Sequence, residues 1–360
     1  MNRSVPTPTA RSLVLTADDG LLDDLLRLAA AAGVGVDVAH EPAAARSRWQ
    51  AAPLVVVGDD QAEQAAAQLG RRQHLVLVAG DDPDVWRRGV GLGAEQVVFL
   101  PDSEHWLVER FADAAEGPGD QALVVSVTGG RGGAGASVLA AGLAMTSARQ
   151  GRAAMLIDLD PLGGGIDLLL GAEDSSGLRW PDFAETRGRL AAATFRDALP
   201  ERHGLTVLSW DRGSLSSVPA EAVHAVITAA ARACDIVILD LPRRGDEATD
   251  EALSQCGCAL LVVTADVRGV AAAARVALRL TAVAADVRVV VRGPSPSGLG
   301  ADEIFEALDL PVAVEMNSET RLDERLEHGE PPCHNGRGEI AAACERLLDD
   351  LLSPQQVWAA

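Results

Sequence analysis

The sequence predicts an α/β protein of two doubly wound units, each a mostly parallel sheet covered by helices on both faces. Three observations predict it. Short apolar runs alternate with helical stretches along most of the chain, the pattern of strands and covering helices in a parallel sheet. The alternation is interrupted at "EGPGDQ", residues 116–121, where Gly, Pro and charge read as a linker. Hydrophobic residues fill 48% of 360 positions and aromatic residues only 3%, enough for two cores built from Ala, Val and Leu. The expected units are residues 1–115 and 122–360, joined by residues 116–121.

In the first unit the elements run in order "SLVLT", "LLDDLLRLAAAAG", "VGVDVAH", "PLVVVGDD", "HLVLVAG", "VWRRGVGLG" and "QVVFLP". Five strand candidates in about a hundred residues suit a flavodoxin-like unit. The first ten residues, polar and Pro-containing, are expected to be disordered. The second unit begins at "ALVVSV" and continues through "AAMLIDLD", "LTVLSW", "CDIVILDLP", "CALLVVTAD", "VRVVVRG" and "LPVAVEM", seven strand candidates with Ala-rich helices between them. Trp180 and Phe183, in "GLRWPDF", read as core or as a partner contact, and "PPCHNGRG" reads as a loop.

Composition narrows the function. Acidic residues outnumber basic ones 52 to 31, a formal charge of -21, so the surface field opposes DNA and anionic lipid. The chain has no Tyr and no Lys, so every basic residue is Arg, and no lysine ammonium can reach a phosphate. Five cysteines, an odd number in a chain without a signal peptide, point to a reducing compartment, with the cytoplasm as the expected location. Cys256 and Cys258 lack a second ligand pair and read as buried thiols. His105, His203 and His334 are scattered and show no ligand spacing. No apolar stretch reaches the roughly 20 residues that span a bilayer.

The chemistry lies in "TGGRGGAGAS", residues 128–137, between a strand candidate and a helix candidate. A phosphate loop works because glycines let backbone N–H groups close round phosphate at a helix N-terminus. A lysine then reaches the outer phosphates, and a Ser or Thr hydroxyl holds Mg²⁺. Here Gly132, Gly133 and Gly135 supply the backbone and Ser137 the hydroxyl, while Ala136 occupies the lysine position. Two further strands end in aspartate where a parallel sheet binds ligands: Asp158 and Asp160 in "MLIDLDPLGGG", and Asp240 in "DIVILDLP".

"RGGAGAS" resembles the deviant Walker A loop "KGGxGK[ST]" of the MinD/ParA family, and the two aspartate strands resemble its switch I and its Walker B/switch II, over residues 122 to about 352. The resemblance implies a nucleotide set of Gly130, Arg131, Gly132, Gly133, Ala134, Gly135, Ala136, Ser137 and Val138. It places Arg131 at the family's signature lysine, Asp160 at the residue that orients the attacking water, and Ser137, Asp158 and Asp240 near Mg²⁺. Arg292 stands where the family often sets an Asn-Arg pair against adenine, but Val291 precedes it. A charged hydrogen bond to phosphate contributes about 1.5–3 kcal/mol, so Ala136 is expected to weaken ATP binding roughly tenfold to a hundredfold. Turnover suffers more, by roughly 10²–10³, and little or none is expected.

The first unit resembles a response-regulator receiver. Asp18 and Asp19 fit its acidic pair and Asp59 its phosphoacceptor, but Ala79 or Gly80 replaces the hydroxyl residue and Leu100-Pro101 replaces Lys-Pro. Those departures imply a pseudo-receiver, expected to serve docking and not phosphotransfer. A degenerate receiver ahead of a MinD-like unit is the layout of the CpaE/TadZ group and of actinobacterial septum site-determining proteins. The implied function is a positioning scaffold for septum placement or polar pilus and secretion machinery, a homodimer that recruits a protein partner. The alternative is a slow ATP-dependent dimerisation switch. The C-terminal stretch "EIAAACERLLDDLL" is too acidic for a membrane helix and is expected to pack on the sheet.

Overall fold

The computed structural model describes residues 11–80, 84–116, 122–213, 217–294 and 298–353. The expected disordered N-terminus and all but the first residue of the expected linker lie outside them. The chain divides into two compact units, Met1–Gly119 and Asp120–Ala360.

The first unit runs β1 (Ser12–Leu15), α1 (Asp19–Ala31), β2 (Val36–Ala39), α2 (Pro42–Ala45), β3 (Val55–Gly58), α3 (Ala62–Gln68), β4 (Leu75–Ala79), α4 (Val85–Leu92), β5 (Gln96–Phe99) and α5 (Glu104–Glu116). All five strands are parallel, in the order β2-β1-β3-β4-β5. Strand side chains alternate between two buried faces. Leu13, Leu15, Val55 and Leu77 pack with Ala45, Ala65 and Leu92 of α2, α3 and α4. Val14, Val56 and Val76 pack with Leu25, Leu28 and Phe111 of α1 and α5. This is the doubly wound, flavodoxin-like arrangement that the sequence predicts.

The second unit begins with β6 (Leu123–Gly129), α6 (Ala136–Arg149), β7 (Ala154–Asp158), α7 (Ile166–Leu169), α8 (Trp180–Phe183) and α9 (Ala192–Ala198). A short hairpin, β8 (Glu201–Arg202) and β9 (Leu205–Leu208), leads to α10 (Ala220–Ala233), β10 (Ile236–Leu241), α11 (Glu247–Ser254), β11 (Cys258–Thr264) and α12 (Val267–Val283). The unit closes with β12 (Val287–Gly293), α13 (Ala301–Leu308), β13 (Val312–Asn317), α14 (Leu322–Glu327) and α15 (Glu339–Leu352). The sheet order is β13-β12-β11-β6-β10-β7-β9-β8. All seven strands read from the sequence are parallel, and the added β8 pairs antiparallel with β9.

The strands are nearly continuous apolar runs because both faces are covered. Ile157, Leu239 and Leu261 face a core that holds Trp180, Phe183 and the apolar sides of α10 and α12. Leu156, Ile238 and Leu260 face α6 and α15. On α15 the side chains Ile340, Cys344, Leu347 and Leu348 are buried, so this helix packs on the sheet as its acidic polar face suggests. Trp180 and Phe183 are core residues. Cys258 is buried and Cys256 is partly so, and burial pushes both thiols up to about 12. Among the described residues no helix is long and apolar enough to cross a membrane.

Candidate functional site

β6 lies in the middle of the sheet, between β11 and β10, and the chain leaves its carboxyl end into the glycine loop. Gly130 donates its N–H to Val262 O at 2.8 Å. A Cβ on Gly130 would stand 2.7 Å from the Cβ of Ala273 in α12, so this glycine permits close packing of loop and helix. Gly135 has φ of 95° and forms the N-cap of α6, with no side chain capping the helix. The first N–H groups of a 14-residue helix are thereby presented at the loop, the arrangement that favours an anion. Ala134 is buried beneath the loop, while Gly132, Gly133 and Ser137 are exposed on it. Ala136 and Val138 are half-buried.

β10 brings the aspartates to the same edge, because Asp240 is the register partner of Asp158 on β7. Asp158 Oδ1 accepts from the Asp160 N–H at 3.0 Å, and its Oδ2 from the Ile166 N–H at 3.1 Å. Burial pushes the Asp158 carboxyl up to about 7, opposed by those two backbone bonds and reinforced by the charges of Asp160 and Asp167. Burial, and next the charge of Asp158, push Asp240 up to about 7 as well, opposed by hydrogen bonding from Ser137. Two adjacent carboxyls with so little compensation favour a cation. Asp160 is less buried, and its Oδ1 accepts from the Leu162 N–H at 3.1 Å. Ser137, Asp158, Asp160 and Asp240 therefore share one corner of the sheet edge.

This donor set fits Mg²⁺ held jointly with phosphate oxygens, since Mg²⁺ is bound by one or two carboxylates plus substrate oxygens. Among the described residues no group of three His, Cys, Asp or Glu forms a metal cage. The loop and the N-terminus of α6 would hold the phosphates. Bound Mg²⁺-nucleotide would supply the electrophilic phosphorus and the charge that neutralises the two acids.

The two arginines take positions that sequence alone does not reveal. Arg131 forms an ion pair with Asp266, the N-cap of α12, through contacts of 3.2 and 3.1 Å. Arg292, the register partner of Thr264, reaches across β11 and donates from Nη1 to Gly133 O at 2.9 Å.

Two supporting residues carry no motif. Trp180 Nε1 donates to Asp158 O at 2.5 Å, fixing the end of β7 from beneath. Arg212 pairs with the buried Asp167 at 2.5 and 3.1 Å, tethering α7 and the loop that joins it to β7. Their signal would have been an indole and a carboxylate close to the Asp158–Asp160 pair.

In the first unit, Asp18 caps α1 by accepting from Gly20 N at 2.8 Å and Leu21 N at 3.1 Å, and Asp19 lies in the first turn of that helix. Asp59 is held by Arg88 through two contacts of 2.6 Å. The next residue, Asp60, is the one that meets the β1–α1 loop, accepting from Thr16 Oγ1 at 2.8 Å and Ala17 N at 2.7 Å. Ala79 ends β4, and Leu100-Pro101 follows β5.

A family model described as Rv3660c-like, CheY-like N-terminal domain matches residues 15–122, and one described as cellulose biosynthesis protein BcsQ matches residues 122–291. The chain is 42% identical over 343 residues to protein Rv3660c of Mycobacterium tuberculosis, covering 93% of this chain and 96% of that one. It is 26% identical over 251 residues to a putative septum site-determining protein MinD of Chlorella vulgaris, covering 65% and 89%. Among solved structures, the MinD cell division protein of Aquifex aeolicus aligns with a TM-score of 0.55 at 22% identity, covering 65% of this chain and 98% of that one. A ParA family ATPase from Chlorobium tepidum aligns with a TM-score of 0.56 at 18% identity, covering 64% and 99%. The chain belongs to the MinD/ParA superfamily, in the Rv3660c-like form that carries a CheY-like domain ahead of the phosphate-loop unit.

Proposed function

We propose that the protein is a positioning scaffold of the MinD/ParA type, whose phosphate loop binds ATP with Mg²⁺ weakly and hydrolyses it little or not at all. The observation that carries this reading is the intact corner of Ser137, Asp158 and Asp240 beside a loop whose lysine position is Ala136. The corner supports Mg²⁺-nucleotide, and the alanine opposes stabilisation of charge as it develops on the outer phosphates. The relative named as a septum site-determining protein supports a role in placing division machinery. The layout shared with the CpaE/TadZ group extends that role to pilus or secretion machinery at a pole. The active form in this reading is a cytoplasmic homodimer, and its CheY-like unit recruits the protein partner.

Calorimetric titration of the purified chain with ATP and Mg²⁺ tests the reading. Saturable binding that Asp240→Ala weakens supports it, and no heat of binding at millimolar ATP sinks it. A second reading, a slow ATP-driven dimerisation switch, is favoured by one feature, the retention of Asp160 at the water-orienting position. Steady phosphate release that Asp160→Ala abolishes would select the switch. Release at the background rate in both proteins would select the scaffold.

A further inference from the structure

We propose that Arg243 and Arg292 contact the nucleotide phosphates and together supply the positive charge that Ala136 removes. This rests on the nucleotide-binding reading above. In a chain without lysine, arginine is the side chain that keeps a positive charge at every working pH. Arg131, the obvious candidate in the loop itself, is engaged by the Asp266 carboxylate.

Two other guanidinium groups stand over the loop glycines. Arg292 donates to Gly133 O and lies 3.3 Å from the point that a Cβ on Gly135 would occupy. Arg243, three residues beyond Asp240, brings Nη2 to 3.7 Å from the corresponding point on Gly132. The backbone beneath Arg243 is held from α12, where Arg279 Nη1 donates to Arg244 O at 2.8 Å and Arg243 O at 3.5 Å.

Their place over the loop, together with their electrostatic setting, marks these two. Acids exceed bases 52 to 31, yet neither Arg243 nor Arg292 pairs with a carboxylate among the described residues. An arginine left unpaired in so acidic a chain, against a loop that exposes helix N–H groups, is matched to an anion. A guanidinium has five donors, so Arg292 can keep its bond to Gly133 and still offer a fork to phosphate oxygens. The glycines and the small Ala136 side chain leave room for that approach.

The test titrates ATP with Mg²⁺ into wild type, Arg243→Gln, Arg292→Gln, the double variant, and the double variant carrying Ala136→Lys. Thermal melts report folding. Each single change is expected to weaken ATP binding about tenfold and the pair about a hundredfold, with AMP affected much less. Ala136→Lys is expected to tighten ATP binding more in the double variant than in the otherwise native chain, because its ammonium replaces a charge that is missing only there, whereas equal gains in the two backgrounds would leave the arginines a merely structural role and overturn the assignment. If wild type binds ATP and the double variant keeps its affinity within about twofold, the assignment is wrong while the nucleotide reading stands. If wild type binds no ATP at millimolar concentration, the nucleotide reading itself fails. Should the double variant not fold, the two single variants decide by the same criterion.

Discussion

At the scale of the residue, the proposed chemistry turns on Ala136. It opens α6, half-buried, where an ammonium on a longer side chain would reach phosphates bound at the helix N-terminus. Ala136→Lys in the otherwise native chain is expected to tighten ATP binding by roughly tenfold to a hundredfold, a gain of about 1.5–3 kcal/mol, read by titration. Unchanged affinity would mean that the loop does not hold phosphate at that position. Asp59 makes the complementary case in the CheY-like unit. Its carboxylate is already paired by two contacts of 2.6 Å with Arg88, which leaves it a poor nucleophile toward phosphorus. Acetyl phosphate is expected to leave the chain unmodified at Asp59, checked by intact-mass spectrometry, and a stable adduct there of about 80 Da, the mass of one phosphoryl group, would contradict the proposed docking role. Trp180 is a third. Trp180→Phe keeps the buried ring but removes the donor to Asp158 O, and is expected to cost about 1–3 kcal/mol in denaturant unfolding and to weaken Mg²⁺-ATP binding.

At the scale of the element, strands and their order in the chain were the legible part. Runs such as "VVVG" and "CALLVVT" are nearly all apolar because both sheet faces are covered, the first ending in Gly58 and the second in Thr264, two residues before the helix-capping Asp266. The β8–β9 hairpin was not legible. Two exposed polar residues give no periodicity, and the turn relies on His203 at φ of 56°. The site was legible as far as local spacing carried it, which covers the glycines, Ser137 and the three aspartates. Pairings across the sheet were not, because Arg131–Asp266 spans 135 residues and Arg292–Gly133 spans 159. His203 and His334, read from the sequence as surface or packing residues without ligand spacing, stand with their rings edge to face at 5.3 Å, a long-range contact that spacing does not reveal. Burial lowers the pKa of His203, and the charges of Arg202 and His334 lower it further. The folded chain thus binds that proton less well than the unfolded chain, whose histidine titrates near its ordinary value of about 6.5. The stabilisation is complete above about 6.5 and is lost as pH falls through the lowered folded value. The urea midpoint of wild type is therefore expected to drop more than that of His203→Gln between about pH 7.5 and about pH 5.5. Parallel pH profiles would remove the hairpin contact from any account of acid sensitivity.

At the scale of the whole molecule, charge and assembly oppose each other. A chain with formal charge -21 repels its own copy, so a homodimer forms only if local contacts at the interface outweigh a long-range penalty. That penalty is carried largely by exposed carboxylates, and salt screens it over a Debye length of about 10 Å at 0.1 M. Two dependences follow for the proposed dimer. Association should strengthen as salt rises from low concentration, the opposite of an assembly held by surface ion pairs. It should also require Mg²⁺-ATP, because the ion neutralises the Asp158–Asp240 corner and the nucleotide engages the arginines at the loop. Sedimentation velocity checks both, with monomer expected without nucleotide and dimer with Mg²⁺-ATP, the dimer fraction growing between low and moderate salt. Asp160→Ala should leave the dimer intact, since the position proposed for it, orienting an attacking water, bears on turnover and not on assembly. A sedimentation coefficient indifferent to nucleotide would make dimerisation constitutive or absent and leave the loop without a part in assembly. A dimer that weakens as salt rises would place opposite charges across the interface and overturn the electrostatic argument.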